Sequence, residues 1–280
     1  MNNKILLLKK KYQIQFEKKL KLTAREAQFE INQILKFISN KEKINHFFEN
    51  ESFSLNVEKK IIRLFAKRIS GIPLAIIFQE WDFYGRTFYV SKSTLIPRSD
   101  TEHLIDEIKN NYKNKTNLKF VDLGCGTGNI GITLALELKP KQIILIDKSK
   151  RALVVTSKNI RRHQINNAQL IESNWFKNLP IEKFDFIVSN PPYIKPNDPH
   201  LKFLSHEPKS ALISKSGGLS DIRKIVFASK IFLKKNGYLY IEHGYNQAKE
   251  VQNIFLKNNF QNIETIKYLS GNDRITKGKY

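Results

Sequence analysis

The chain predicts an α/β protein: a Rossmann-like domain, with helices on both faces of a parallel sheet, preceded by a small helical bundle. Three observations carry this. From residue 118 onward, apolar β-rich runs alternate with helical runs, the pattern of repeated βαβ units. Phe120-Val121-Asp122-Leu123-Gly124-Cys125-Gly126-Thr127-Gly128 reads as a strand, an acidic residue, three alternating glycines and then a helix start. Residues 1–72 carry a helical periodicity that stops at a glycine and a proline.

Taken in order, Thr23-Ala24-Arg25-Glu26 has the capping-box pattern, and Phe29, Ile31, Ile34, Leu35 and Ile38 follow as a helical stripe. A further helix runs from about Asn56 through Val57, Ile61, Leu64, Phe65 and Arg68, and Gly71 with Pro73 ends it. A bundle placed ahead of a catalytic domain suits substrate docking; buttressing of the core is the alternative. Residues 73–98 read as a linker built on a β-hairpin that turns at Gly85. The main domain is then 99–280. Its strands are expected near 118–122, 142–146, 168–172, 184–189 and 237–242, and its helices near 129–138, 150–162, 217–233 and 245–258. The stretches 262–268 and 273–276 look like two final strands with no helix between them.

Composition narrows the class. The 280 residues are 41% hydrophobic, enough for a substantial core. No apolar run is long enough to span a membrane, and Ile5–Leu8 is too short for a signal-peptide core. The expectation is a cytoplasmic protein without membrane contact. Cys125 is the single cysteine, so an internal disulfide is excluded and a reducing compartment fits. The six histidines show no metal-ligand spacing, so no metal is expected. With 48 basic and 26 acidic residues the net charge is +22. Such an excess suits weak nonspecific contact with nucleic acid. It is spread along a chain rich in Lys, Asn and Ile, which suits compositional drift better than a dedicated nucleic-acid surface.

Asn190-Pro191-Pro192-Tyr193, directly after the apolar run Phe184–Ser189, is the most informative segment. The Asn190 side-chain carbonyl and the Pro191 backbone carbonyl can accept both hydrogens of a planar NH2 group, and proline brings no competing N–H. Tyr193 can cover the flat face of that group. The glycine loop lacks the closing Gly-Lys-Ser/Thr of a phosphate-binding Walker loop and the spacing of dinucleotide-binding folds. Its spacing resembles motif I of the class I S-adenosylmethionine-dependent methyltransferases. Asp147 ends the next strand, Gln142–Ile146, about 20 residues after the glycines, where a ribose diol is bound in such folds. The plainer alternative is that Asp147 or Ser149 caps the following helix.

With these residues in view, the chain resembles the bacterial release-factor glutamine methyltransferases. The likeness extends through Arg68–Ala75, Phe83-Tyr84-Gly85, Leu95–Glu102, Asp122–Gly128, Asp147, Asn174-Trp175-Phe176 and Asn190–Tyr193. Glu207–Leu212, Gly218-Leu219 and Gly271–Arg274 complete it. The resemblance implies a helical N-terminal domain, a seven-stranded class I methyltransferase domain and S-adenosylmethionine as methyl donor. It also implies peptide chain release factors as partners, methylated on the glutamine of their Gly-Gly-Gln loop. By position, Gly124, Cys125, Gly126, Thr127 and Gly128 would line the methionine end of the cofactor. Asp147 would bind its ribose, Asn174 and Trp175 would sit by its adenine, and Asn190 would border it. Asn190, Pro191, Pro192 and Tyr193 would receive the glutamine, with Asn190, Pro191 and Tyr193 as the catalytic set. Ser99, Asn174, Ile76–Gln79 and His243 depart from the family's usual residues.

Two other substrates share this chemistry: a ribosomal-protein glutamine and the N6 amine of adenine in DNA. The second requires base flipping and a DNA-reading segment, and only about 25 residues separate Tyr193 from the next expected helix. A non-catalytic RNA-binding factor on the same fold is the alternative from a different class.

Overall fold

The computed structural model describes residues 4–43, 54–268 and 271–280. The chain divides into two compact units, 1–79 and 80–280.

The first unit contains four described helices: α1 (Lys4–Leu20), α2 (Ala24–Glu42), α3 (Leu55–Ile69) and the short α4 (Leu74–Phe78). The Thr23 capping box forms as its sequence demands. The Thr23 side chain accepts from Glu26 N, and the Glu26 carboxylate accepts from Thr23 N at 2.8 Å. Ser54 caps α3 by a single bond, its hydroxyl accepting from Val57 N at 3.3 Å. Tyr12, Phe16, Ile31, Ile34, Leu35, Ile61 and Phe65 make the core of this unit. Phe29 does not join the stripe and is 61% exposed, because the buried face of α2 runs through Ala27, Ile31, Ile34, Leu35 and Ile38. A bidentate Arg68–Glu30 pair, at 2.6 and 2.9 Å, joins α3 to α2. Residues 74–78, placed with the hairpin linker from sequence, form helix α4 in this unit. The hairpin itself belongs to the second unit.

The second unit opens with that hairpin, β1 (Glu80–Phe83) and β2 (Arg86–Tyr89), turning at Tyr84-Gly85. Helix α5 (Glu102–Tyr112) follows, an element the sequence reading did not anticipate. Then come β3 (Lys119–Leu123), α6 (Asn129–Leu138), β4 (Gln142–Asp147), α7 (Lys150–Arg162), β5 (Ala168–Glu172) and β6 (Phe184–Ser189). The one-turn α8 (Lys209–Leu212), α9 (Ser220–Phe232), β7 (Leu233–Glu242), α10 (Ala248–Lys257), β8 (Gln261–Lys267) and β9 (Asp273–Lys279) complete it. Seven strands form one sheet in the order β5-β4-β3-β6-β7-β9-β8. The first five are parallel, whereas β9 inserts antiparallel between β7 and β8. The sheet is therefore mixed, because no helix intervenes to carry the last strand back to the starting edge.

Two apolar clusters cover the two faces of the sheet. One gathers Ile105, Ile108, Phe120, Ile132, Leu145 and Phe186; the other gathers Val121, Ile144, Ile187, Ile222, Val226 and Leu239. Alternate residues of the same strands enter opposite clusters, as the two-residue period requires. The strand order reverses between β3 and β6, which opens a crevice beyond their carboxyl ends. No described helix is long and apolar enough to cross a membrane.

Candidate active site

Register builds the site. Leu123 of β3 pairs with Ile146 of β4 on one side and with Ser189 of β6 on the other, and Ser189 pairs with Ile241 of β7. The next residues, Gly124, Asp147, Asn190 and Glu242, therefore emerge along one edge of the sheet. The Ser189 hydroxyl donates to Leu123 O at 2.7 Å, and Gly124 N and Cys125 N both donate to Ile146 O, at 2.8 and 2.9 Å. These bonds pin the strand ends beneath an open cleft.

The cleft is lined by Gly124, Cys125, Gly126, Thr127, Asp147, Trp175, Asn190 and Pro192, all anticipated from sequence. Gly128, Pro191 and Tyr193 do not line it. Gly128, at φ +79°, is the cap of α6, where an added Cβ would lie 2.7 Å from Thr156 Cγ2. Its position demands glycine for close packing of the loop. Pro191 is buried, and Tyr193 is half-buried against the core cluster that contains Val121 and Leu219.

Asp147 holds the glycine loop. Its Oδ2 accepts from Gly126 N at 3.0 Å and its Oδ1 from Ser149 N at 2.8 Å. The cap of α7 is Ser149, which accepts from Ala152 N. Burial raises the Asp147 pKa, opposed by the two backbone donors. Asp122 lies deeper, fully buried at the end of β3. Its Oδ2 accepts from Gly131 N at 2.9 Å, while its Oδ1 has no partner among the described residues. Burial pushes its pKa up to about 7, against the Gly131 hydrogen bond. Cys125 is buried with its sulfur 3.6 Å from the Thr156 hydroxyl, and burial raises its thiol pKa, so it is a small wall residue. On the far wall, the Trp175 ring lies where a Gly124 Cβ would point, at 3.3 Å, and its indole N–H donates to Asp221 at 3.2 Å.

Three residues that the sequence reading assigned no role prove to hold the walls. Asn190 Nδ2 donates to Glu242 Oε1 at 2.8 Å and lies 3.4 Å from Thr101 Oγ1. Glu207 accepts from Ile96 N at 2.8 Å and pairs with Arg98 at 2.5 Å, tying the wall segment Leu95–Arg98 to the chain after the Asn190–Tyr193 loop. Thr101 and Glu207 stood within segments that carried the resemblance, but nothing in their spacing named their partners.

The residues fit S-adenosylmethionine. Gly124 and Gly126 adopt positive φ, and an added Cβ on Gly126 would find only the Gly124 carbonyl at 4.0 Å, so backbone faces the cleft closely. Two of the roughly four acceptor sites of the Asp147 carboxylate are occupied, which leaves acceptors for a pair of hydroxyls.

Comparison with known proteins agrees with this geometry. The family model described as the methyltransferase small domain matches residues 99–210. The release factor glutamine methyltransferase of Francisella tularensis is 42% identical over 226 residues, covering 80% of this chain and 78% of that protein. That of Shewanella oneidensis is 33% identical over 264 residues, covering 93% and 92%. The T. thermophilus 16S rRNA N2 G1207 methyltransferase, solved with AdoMet and guanosine, shares the fold at a TM-score of 0.53 and 15% identity, over 71% of this chain and 49% of that one. The cleft at the β3/β6 switch and identity along most of both sequences lead to one assignment: the chain belongs to the release factor glutamine methyltransferase family.

Proposed function

We propose that this protein methylates the side-chain amide nitrogen, N5, of the glutamine in the Gly-Gly-Gln loop of peptide chain release factors. The observation that carries the reading is the side chain of Asn190. Its NH2 is engaged by Glu242, which turns its carbonyl oxygen away from that contact as an acceptor, in the cleft that the glycine loop also lines.

S-adenosylmethionine, held by the Gly124–Gly128 loop, Asp147 and Trp175, supplies an electrophilic methyl group. The chain's own task is positioning. An amide nitrogen is a poor nucleophile because its lone pair is delocalised into the carbonyl. Asn190 Oδ1, on the cleft wall, accepts one amide hydrogen and fixes the direction of the nitrogen, and the carbonyl of the adjoining Pro191, outside that wall, is assigned the other once the substrate loop docks. Such orientation contributes several kcal/mol, up to about 7–11 in ideal systems. The same two acceptors favour positive charge developing on nitrogen during transfer. Tyr193 and Pro192 exclude water from the amide face, and the surplus proton leaves to solvent afterwards.

The helical unit, residues 1–72 with the short helix that follows, is the docking module for the release factor, and the protein acts in the cytoplasm. The charge of +22 supports an additional weak, salt-sensitive contact with nucleic acid. Incubating recombinant release factor with the protein and S-adenosylmethionine, then digesting and weighing the peptides, tests the activity. A 14-Da gain on the Gly-Gly-Gln peptide, on the order of one methyl per chain, is expected. A gain on a ribosomal-protein glutamine or on DNA adenine, with the release factor unmodified, would overturn the assignment.

A further inference from the structure

We propose that Glu242 is a positioning residue that locks the Asn190 side chain with its carbonyl oxygen toward the substrate amide. The inference rests on the function proposed above and concerns how its key acceptor is oriented.

An asparagine side chain has two faces of nearly equal shape, one accepting and one donating. Only the accepting face can serve a substrate NH2, so something must choose between them. Glu242 makes that choice. The Ser189–Ile241 register sets it beside Asn190, and Oε1 lies 2.8 Å from Asn190 Nδ2. An ionised carboxylate can only accept, so it takes the NH2 and turns Oδ1 outward. Glu242 is 2% exposed, which places no bulk water in competition for the contact.

The surroundings act on the charge of this carboxylate in opposite senses, so its ionised state predominates only above neutral pH. Facing it are Thr101 and Asp100 from the turn before α5, Tyr193 from the loop after β6, Tyr268 after β8, and Arg274 from β9. Burial is the largest effect and raises the Glu242 pKa to about 7; the Thr101 and Tyr268 hydroxyls and the Arg274 charge oppose it. Glu242 Oε2, the Tyr268 hydroxyl and Arg274 Nε are all buried without a hydrogen-bond partner among the described residues. This side is rich in donors, so a neutral amide at position 242 would turn its oxygen toward it. Its NH2 would then face Asn190 and flip that side chain, presenting a donor to a donor.

Glu242→Gln, of nearly identical shape, is therefore expected to reduce single-turnover methylation of a release factor on the order of 10²-fold, the size of one lost oriented hydrogen bond. Melting temperature and S-adenosylmethionine affinity should stay near wild type. The double variant Asn190→Asp with Glu242→Gln exchanges acceptor and donor: the Gln NH2 donates to one Asp oxygen and the other faces the cleft. It should recover at least about tenfold over Glu242→Gln alone. In the wild type, the rate should fall as pH drops through neutrality, and Glu242→Gln should lack that limb. The proposal is overturned if Glu242→Gln turns over at the wild-type rate, or if the double variant is no faster than Glu242→Gln. If Glu242→Gln fails to fold or to bind cofactor, the wild-type profile decides, and absence of the acidic limb overturns the proposal. Wild-type protein that leaves the release factor unmethylated refutes the parent function instead.

Discussion

Replacing Asp147 with alanine removes the carboxylate that accepts from Gly126 N at 3.0 Å and from Ser149 N at 2.8 Å. Two effects on cofactor affinity follow. The ribose hydroxyls lose a charged acceptor, and a hydrogen bond to a charged group contributes about 1.5–3 kcal/mol net. The glycine loop also loses the bond that holds Gly126 N, so part of the binding free energy goes into ordering it. Water can reach the half-buried site and recover some of the loss. A net cost of about 2–3 kcal/mol remains, a 30- to 150-fold rise in Kd at 1.4 kcal/mol per factor of ten. Asp147→Asn keeps one acceptor but turns an NH2 toward a backbone N–H, so its Kd should lie between the two. Titration calorimetry with S-adenosylmethionine measures both, with melting temperature as a control for folding. A folded Asp147→Ala protein whose Kd stays within about threefold of wild type would refute the assignment of the ribose to this carboxylate.

Three further expectations concern the rest of the molecule. At Gly218, with φ +91°, an added Cβ would lie 2.0 Å from the Tyr193 carbonyl oxygen and 2.6 Å from Gln247 Nε2, which itself bonds that carbonyl. Gly218→Ala should displace the end of the Asn190–Tyr193 loop and lower the methylation rate more than tenfold, with roughly 1–3 kcal/mol lost from stability by backbone strain; unchanged kinetics would show that the loop tolerates the shift. The Asp122 pKa is raised in the folded state to about 7, so the native protein binds the extra proton, and this group's contribution to stability is full below the unfolded pKa near 4 and lost as pH rises through 7. Asp122→Asn keeps an acceptor for Gly131 N, so its melting temperature relative to wild type should improve between pH 5 and pH 8.5; the difference over that window amounts to about 3 kcal/mol at most, and an equal offset at both pH values would contradict it. A chain beginning at Glu80 should bind cofactor yet methylate intact release factor poorly, and full-rate turnover by such a chain would remove the docking role from the helical unit.

Local rules made much of this molecule readable in one dimension. The Thr23 capping box, the strand–glycine–helix run at 119–138, Asp147 at the end of β4 and the Asn190–Tyr193 loop after β6 each depend on neighbours a few residues apart, and each forms where the residue types require it. The exposed Phe29 and the unanticipated α5 mark where short-range periodicity runs out, since which face of a helix is buried depends on what it meets. The residues that hold the site together were hidden for a different reason. Glu242 lies 52 positions from Asn190, and Glu207 lies 109 from Arg98. Their contacts come from strand order and register, through Ser189 opposite Ile241, and from the return of the chain over the cleft. Hydrogen-bond partners across a sheet are set by pairing between segments, and a one-residue slip would send each side chain to the other face. Segments of contiguous residues that come to line the cleft were therefore legible beforehand, whereas the contact between Asn190 and Glu242 became visible only once β6 and β7 lay side by side.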